Sequence, residues 1–445
     1  MSNEPNMVNK YELQETTVVP KKKSFGRKIL NTMSCQYCRN GSDSESEDET
    51  DTWYMGDKWK VKGHHQPKTI HALSDIVVNA KKDKKLVHIL GCGNLTDNNE
   101  DSNIVLVDLR KLKYYDNPEI KTTPDGIKII SANAGDTFAN VNMQAYAKGY
   151  ALETIPLQDH VSVGGGVIGY CFGNDDDSTL LSMRVREVVF MCRNTGNLRT
   201  VTNEAILSSI RGSLQEKYII VGAFFNVIPK VDFKLTTRRT KLAADNDTLS
   251  LIFLTNKNKS TSAYINPYTQ EVLAIDRLPL LDQKSSDVGY DKTIQLGNIL
   301  NVYMDKNTAT GGPKDKTSAS MNALEESVKE LGDKQVNLHV GVPATNVIVR
   351  GFICRKYAKM FVSNVCKILA EKQQTTLPVK MAFVGGVADD SVHDNLIRDS
   401  LSQDGYIALE INIRKGNRGQ GIALALKHLC EGQEGAIIDP STTPH

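Results

Sequence analysis

Residues 130–173 read ISANAGDTFANVNMQAYAKGYALETIPLQDHVSVGGGVIGYCFG, and the order of signals in them decides the fold class. The apolar run IKIISAN predicts a strand that breaks at the turn Gly135-Asp136-Thr137. FANVNMQAYAKGY has helical spacing and is closed by Gly149. VSVGGGVIG then reads as a strand running into Gly164, Gly165, Gly166 and Gly169. Upstream, TIHALSDIVVNAKKDKK places Ile70, Leu73, Ile76, Val77 and Ala80 at helical spacing. The strand LVHILGCGN follows it at once and ends in the turn Gly91-Cys92-Gly93-Asn94, and NIVLVDL repeats the strand signal. Downstream, VREVVFMCR is a strand with a turn at Asn194 to Asn197, and YIIVGAFFNVIPKVDFKL is two strands or a bent one. Short helices and strands alternating in this way predict an α+β domain with glycine-enriched loops.

The second half continues the class. LSLIFLT, SAYINP and EVLAID are predicted strands, and NTATGGPKDKTSAS is a predicted surface loop. MNALEESVKELG and RKYAKMFVSNVCKILAEKQQ follow as helices, the latter with a stripe of Met360, Phe361, Val365, Ile368 and Leu369. VKMAFVGGV and YIALEINIR read as paired strands, and GIALALKHLCEG as a final helix. There is no internal repeat.

Over 445 residues, 54 Lys plus Arg stand against 52 Asp plus Glu, a formal charge of +2. That balance excludes a globally basic nucleic-acid binder. With 40% hydrophobic residues the chain has material for a large core, and the length prior favours two domains. No apolar run approaches the ~20 residues of a membrane span. The N-terminus MSNEPNMVNKYELQ lacks the basic-then-apolar layout of a signal peptide, and the eight Cys show no framework spacing. The expectation is a soluble cytoplasmic protein with reduced thiols.

Residues 1–64 differ from the rest. A basic stretch (Lys21, Lys22, Lys23, Arg27, Lys28) precedes Cys35-Gln-Tyr-Cys38 and the acidic run SDSESEDETD. Adjacent blocks of opposite charge with few large apolar residues predict a flexible tail. Ser42, Ser44 and Ser46 each have a Glu three residues on, so the tail reads as a solubilising segment or as a kinase target that engages a protein partner. The Cys35/Cys38 pair alone does not make a zinc site, which wants four ligands.

The chemistry sits in the glycine turns. Glycine lets backbone N–H groups approach a phosphate or a flat ring closely, and several such turns together suggest a cofactor cradle. None is a nucleotide motif by itself: no G-x-G-x-x-G opens a helix and no P-loop is present.

In order and context these elements resemble the FAD-linked oxidase family, the vanillyl-alcohol-oxidase type with a PCMH-type FAD-binding fold. The likeness starts at the helix from Thr69 to Lys82 and the Gly91 turn. It runs through the 130–173 stretch, Arg199 in TGNLRTVT, and EKYIIVGAFFNVIPKVDFKL. Within the family, DNDTLSLIFLTNKNKSTSAYINPYTQEVLAIDR and LPVKMAFVGGVADDSVHDNLIRDSLSQDGYIALEIN resemble substrate-domain segments of aldonolactone and alditol oxidases, for coverage of about residues 68–415. The resemblance implies a two-subdomain FAD-binding domain at 65–242 and an α+β substrate or cap domain at 243–445. It also implies FAD with its pyrophosphate on the amides of Gly91, Cys92, Gly93, Asn94 and Leu95 and of Gly164 to Gly169, with Gly135, Gly222 and Val227 completing the cradle. The substrate would be a small alcohol or lactone.

Four departures accompany the resemblance. Asn94 stands where many members carry a flavin-linked His, which implies noncovalent FAD. The family's Glu-x-Arg pair is Lys380-Met381-Ala382, leaving its catalytic role unassigned. Phe224, Phe225 and Asn226 occupy positions of Leu or Ile and Gly and should crowd a dinucleotide. The C-terminal His-Trp-Gly-Lys is absent. A catalytically silent relative, serving as a structural or binding component, is the alternative these departures leave.

Other candidates read as ordinary features. His160 and Cys171 flank the glycines as packing residues, although Cys171 offers an alternative flavin attachment point. Asp389-Asp390 reads as a turn. His64, His65 and His71 lack a ligand partner at i+4. Arg238-Arg239-Thr-Lys241 and Arg414-Lys415-Gly-Asn-Arg418 read as solvated loop charge or as short contacts to phosphate or nucleic acid.

Overall fold

The computed structural model describes residues 50–54, 57–61, 64–90, 104–153, 161–168, 171, 185–202, 218–230, 233–242, 249, 252–253, 260–279, 311–331, 346–373, 375, 377–384, 405–414 and 417–438. All belong to one compact unit, Glu47–His445. It opens with a hairpin of β1 (Thr50–Tyr54) and β2 (Asp57–Val61), where the charged sequence predicts flexible chain. TDTWY and DKWKV hold enough β-formers to pair. The rest of the segment read as a tail, with Cys35, Cys38, Ser42, Ser44 and Ser46, lies outside the described residues.

A small parallel sheet follows: β3 (His64–His65), β4 (Leu86–Leu90) and β5 (Ile104–Asp108), in the order β3-β5-β4. Helix α1 (Ile70–Lys82) links β3 to β4, with the Thr69 hydroxyl capping it by accepting from the Ala72 N–H at 3.2 Å. Its apolar stripe buries Leu73, Val77 and Ala80, as the spacing predicts.

Next come β6 (Ile120–Thr122), β7 (Lys128–Asn133), α2 (Phe138–Tyr146), β8 (Tyr150–Leu152), α3 (Val163–Ile168), β9 (Val185–Cys192), β10 (Leu198–Val201) and β11 (Tyr218–Pro229). Their strands form a six-stranded antiparallel sheet, β10-β9-β11-β7-β6, with β8 added beside β11. One core joins both sheets: Leu73 and Val77 of α1, Val105 and Val107 of β5, Phe138 and Val141 of α2, and Val188, Ala223 and Phe225 of the antiparallel sheet.

The remaining strands are β12 (Phe233–Lys241), β13 (Ser260–Ile265), β14 (Glu271–Pro279), β15 (Asn346–Cys354), β16 (Val379–Val384), β17 (Tyr406–Arg414) and β18 (Ala436–Ile438). They make a seven-stranded antiparallel sheet, β12-β14-β13-β16-β17-β15-β18. Helices α5 (Ala358–Lys372) and α6 (Asn417–Glu431) pack on one face through Phe361, Val362, Val365, Leu369, Ile422 and Leu426. On the other face α4 (Pro313–Leu331) buries Met321, Leu324 and Val328 against Tyr264, Leu273 and Ile275.

Several local expectations are corrected. Val163–Ile168 is helical, not strand, because Ser162 caps it: its carbonyl accepts from Gly166 N at 2.8 Å and its hydroxyl from Gly165 N at 3.2 Å. Of LSLIFLT, the described Leu249, Ile252 and Phe253 are a helical turn, with Phe253 N donating to Leu249 O at 3.0 Å. Their buried i, i+3, i+4 spacing carries the helical period. The predicted loop NTATGGPKDKTSAS is helix from Pro313 onward, proline suiting the first helical position. There Thr317 and Ser320 donate their hydroxyls to the carbonyls of Pro313 and Lys316. Met360 is 55% exposed and leaves the stripe of α5, which runs instead through Phe361, Val362, Val365, Cys366 and Leu369. The chain changes sheets between Pro229 and Phe233, since β11 and β12 lie in different sheets.

Candidate functional site

Parallel strands β4 and β5 end side by side, with Leu90 paired to Asp108. In sheets of this kind the crevice beyond the carboxyl ends of the strands is where ligands bind. Gly91–Leu95 begins there and lies outside the described residues, as do Gly169, His160, Asp389, Asp390 and Lys415.

What borders the crevice is described. Asp108 is buried, and its carboxylate accepts from Arg110 N and Nε at 2.9 Å and from Gln66 Nε2 at 3.0 Å. The exposed Arg110 guanidinium is thereby pinned at the strand ends. Neither residue was singled out from sequence. The signal was present in NIVLVDLRKL, an acid closing an apolar strand with an arginine two residues on.

Gly135 presses the β7–α2 turn onto this corner. A Cβ there would lie 2.1 Å from the Leu109 carbonyl oxygen and 2.7 Å from Arg110 N. Asn133 fixes the connecting segment: its Oδ1 accepts from the N–H groups of Tyr114 (2.9 Å) and Tyr115 (2.8 Å), and its Nδ2 donates to Asp136 at 2.9 Å. Lys113 Nζ reaches the same Asp136 carboxylate at 3.0 Å. Gly222 lies under the Tyr115 ring, whose edge would be 2.7 Å from an added Cβ.

The amides of the glycine triplet have protein partners. Val163 N donates to Asp136 O (2.8 Å), Gly164 N to Ala134 O (2.9 Å), Gly165 N to the Ser162 hydroxyl and Gly166 N to Ser162 O. Gly164 also rests on the Ala134 side chain, an added Cβ lying 3.2 Å from it. These described glycines therefore hold α3 against the β7–α2 turn, and their occupied N–H groups add no phosphate donors. Among the described residues, what could meet a dinucleotide at the ends of β4 and β5 is the Arg110 guanidinium and the Gly135 corner.

Other predicted residues fall as follows. Val227 is buried in the core and paired with Leu152. Phe225 points into the same core, edge-on to Phe138, and does not crowd a crevice. Phe224 faces the other side, edge-on to Tyr115 with centroids 5.3 Å apart. Asn226 Nδ2 donates to Glu153 at 2.7 Å. Cys171 is buried in the core. Arg199 is exposed on β10.

His71, read as lacking a partner at i+4, has Asp75 there at 3.6 Å, an exposed pair on α1. Among the described residues no group of three potential metal ligands forms. Arg238 and Arg239 are strand residues of β12, not loop. Alternation sends them to opposite faces. Arg238 forks onto buried Asp276 at 2.7 and 3.0 Å, which raises its pKa, and Arg239 pairs with Glu325. Arg414 closes β17 and Arg418 lies in the first turn of α6.

Lys380 and Ala382, at the Glu-x-Arg position, share the face of the seven-stranded sheet that carries α4, while Met381 enters the opposite core. Directly opposed residues of antiparallel strands share a face. One row therefore crosses six strands: Arg239, Leu273, Tyr264, Lys380, Glu410 and Arg350. Lys380, Glu410 and Arg350 are all buried, and Arg350 Nε donates to Glu410 Oε1 at 3.1 Å. Lys380 Nζ is 5.8 Å from the Tyr264 ring centroid. Burial, then the Glu410 charge, raises the pKa of the Tyr264 phenol. A glutamate and an arginine thus lie on the strands beside the position that lacks them. In sequence each is a charge set among apolar residues of a strand, in YIALEINIR and NVIVRGFIC.

No family model matches the chain, and no curated relative does. Among solved structures it is similar to a solvent-stable cholesterol oxidase, at 15% identity and TM-score 0.61 over 88% of this chain and 86% of that one. It is also similar to a histidine-to-alanine variant of cholesterol oxidase from Brevibacterium sterolicum (13%, TM-score 0.60, 86% and 83% of the two chains). The cholesterol oxidase from B. sterolicum itself aligns at 13% identity and TM-score 0.58, over 85% and 82%. No described helix is long and apolar enough to cross a membrane. At these identities the likeness establishes the fold alone, an α+β fold shared with these cholesterol oxidases.

Proposed function

We propose that the chain is a FAD-dependent oxidoreductase-like flavoprotein of the FAD-linked oxidase family. In this reading it holds FAD noncovalently in residues 65–242 and takes a polyol or sugar lactone on residues 243–445, as aldonolactone and alditol oxidases do. The observation that supports the reading is that β4 and β5 end side by side with Asp108 and Arg110 at their carboxyl ends, within a fold shared with cholesterol oxidases.

FAD, when bound, supplies the hydride-accepting ring. The protein's part is binding and orientation. Gly91 to Leu95 would hold the pyrophosphate, Arg110 would add positive potential at the strand ends, and Gly135 lets the β7–α2 turn close onto that corner. Asn94 in the sequence and the burial of Cys171 in the core support noncovalent attachment. The N-terminal tail is assigned to a protein partner.

Anaerobic mixing of the FAD-loaded protein with a panel of alditols and aldonolactones tests the reading. Bleaching of the flavin absorbance by at least one member is the expected result. A loaded protein that no alcohol bleaches would contradict it and leave the catalytically silent alternative.

A further inference from the structure

The corner between α1 and β4 carries two features that local structure disfavours. Helix α1 closes in a Schellman motif, with Lys85 N donating to Ala80 O at 2.8 Å and Lys84 N to Lys81 O at 3.1 Å. The motif needs a left-handed residue just past the cap, and here that residue is Lys84, at φ +56°. Glycine adopts this conformation freely, whereas an L side chain is strained in it. Two residues on, Leu86 opens β4 with 69% of its surface exposed, the most of any large apolar side chain among the described residues. Lysines surround it: Lys81, Lys82 and Lys84 are exposed and Lys85 is half-buried, against the single carboxylate of Asp83. Lys81 donates to the Asn194 carbonyl at 3.2 Å, and Lys81 and Lys82 suit the negative end of the helix. Neither role accounts for a strained Lys84 or an outward Leu86. Among the described residues no ion pair engages Lys82, Lys84 or Lys85.

We infer that the Lys81–Leu86 corner is a docking surface for an anionic lipid bilayer, which it touches reversibly and does not cross. The lysines are solvated point charges on an exposed turn, with no arginine fork among them. Recognition of one phosphate or of a folded peptide calls for donors fixed in a shaped site. A bilayer rich in anionic lipid presents many charges at once and asks only for positive potential close to its surface. Leu86 distinguishes the partner further: a nucleic-acid backbone or an acid-rich peptide leaves that side chain in water, while the boundary between headgroups and acyl chains buries it. The corner lies at the amino end of β4, and Asp108 and Arg110 lie at the carboxyl ends of β4 and β5. Docking therefore leaves the crevice clear, and the surface draws on none of the residues assigned to flavin above.

The experiment is co-sedimentation of the full-length protein with vesicles of phosphatidylcholine alone and of phosphatidylcholine containing about 30% phosphatidylserine, at low and at high salt. Thermal melting of each variant is followed by circular dichroism. Wild-type protein is expected to bind only the charged vesicles and to leave them at high salt. Lys82→Gln combined with Lys85→Gln should weaken binding about 25-fold, at about fivefold per lysine. Leu86→Ser should weaken it severalfold with the salt dependence unchanged. Lys84→Gly separates the surface from the fold: it should melt above wild type, the strained cap being relieved, and yet bind about fivefold more weakly. Wild-type protein that ignores charged vesicles, or binding that survives the paired lysine changes or Lys84→Gly, would overturn the surface. Undiminished vesicle binding by Leu86→Ser, with equal capture of the wild type by polyglutamate, would identify an acidic protein partner and overturn the lipid assignment.

Discussion

Gly135 and the carbonyl of Leu109 are in contact so close that a methyl group on Gly135 would sit 2.1 Å from the Leu109 oxygen. This contact seats the turn after β7 on the corner where β5 ends, and so joins the antiparallel sheet to the mouth of the parallel one. Gly135→Ala must push backbone against backbone, at a cost of about 2–3 kcal/mol. Urea unfolding should show the lower midpoint. Gly421, on the exposed side of α6, meets nothing within 4 Å, so Gly421→Ala should stabilise by about 0.5–1 kcal/mol. Equal effects of the two changes would refute the contact.

The buried Arg350–Glu410 pair gives a second expectation. Removing one partner leaves the other charge buried with less compensation, so Arg350→Met should destabilise by about 3 kcal/mol. Adding Glu410→Gln to the same chain should restore part of the loss. A double variant whose loss equals the sum of the two single losses would show that the residues are not coupled.

Burial holds the Glu187 carboxyl above its ordinary pKa, against the opposing pull of Lys121. The native state then binds that proton more tightly than the unfolded chain does. Stability therefore falls as pH rises from the ordinary carboxylate value through the raised one, and stays lower above it. Glu187→Gln, which has no charge to bury, should melt above wild type at pH 7.5 and level with it at pH 4. The reverse order would refute the assignment.

Thiol reactivity supplies a third check on packing. Burial pushes the Cys366 and Cys430 thiols up to about 12, the Glu431 charge assisting at Cys430. At Cys192 burial raises the pKa, but the Thr195 hydroxyl and the amides of Asn194 and Thr195 outweigh it and bring the net value below the ordinary one. The thiolate is the reactive form. Iodoacetamide at pH 8, followed by peptide mass spectrometry, should label Cys192 well ahead of Cys366 and Cys430. Labelling of Cys366 at the rate of Cys192 would contradict the core around α5.

Much of the fold could be read in the chain because local period and caps agree with it: α1 begins after Thr69, α2 is followed by Gly149 at φ +79°, and β16 pairs with β17. Misreadings arose where tertiary context decides. VSVGGG has the composition of a strand, and only the Ser162 cap and the Ala134 and Asp136 carbonyls make it helical. Glycine turns were visible, but not what fills the space each leaves: the Leu109 backbone at Gly135 and the Tyr115 ring at Gly222 come from distant segments. The Lys380 position was legible as a charge reversal. Its partners were not, because Glu410 and Arg350 meet it through cross-strand register, which no local pattern encodes.

The central claim is that this fold holds a flavin without a covalent bond. The visible absorption spectrum of the purified protein, taken before and after acid precipitation and after adding FAD, tests it most directly. The account predicts flavin bands, present at once or gained with FAD, that leave with the acid supernatant. A protein that shows no flavin bands and gains none, or flavin that stays in the pellet, would contradict it.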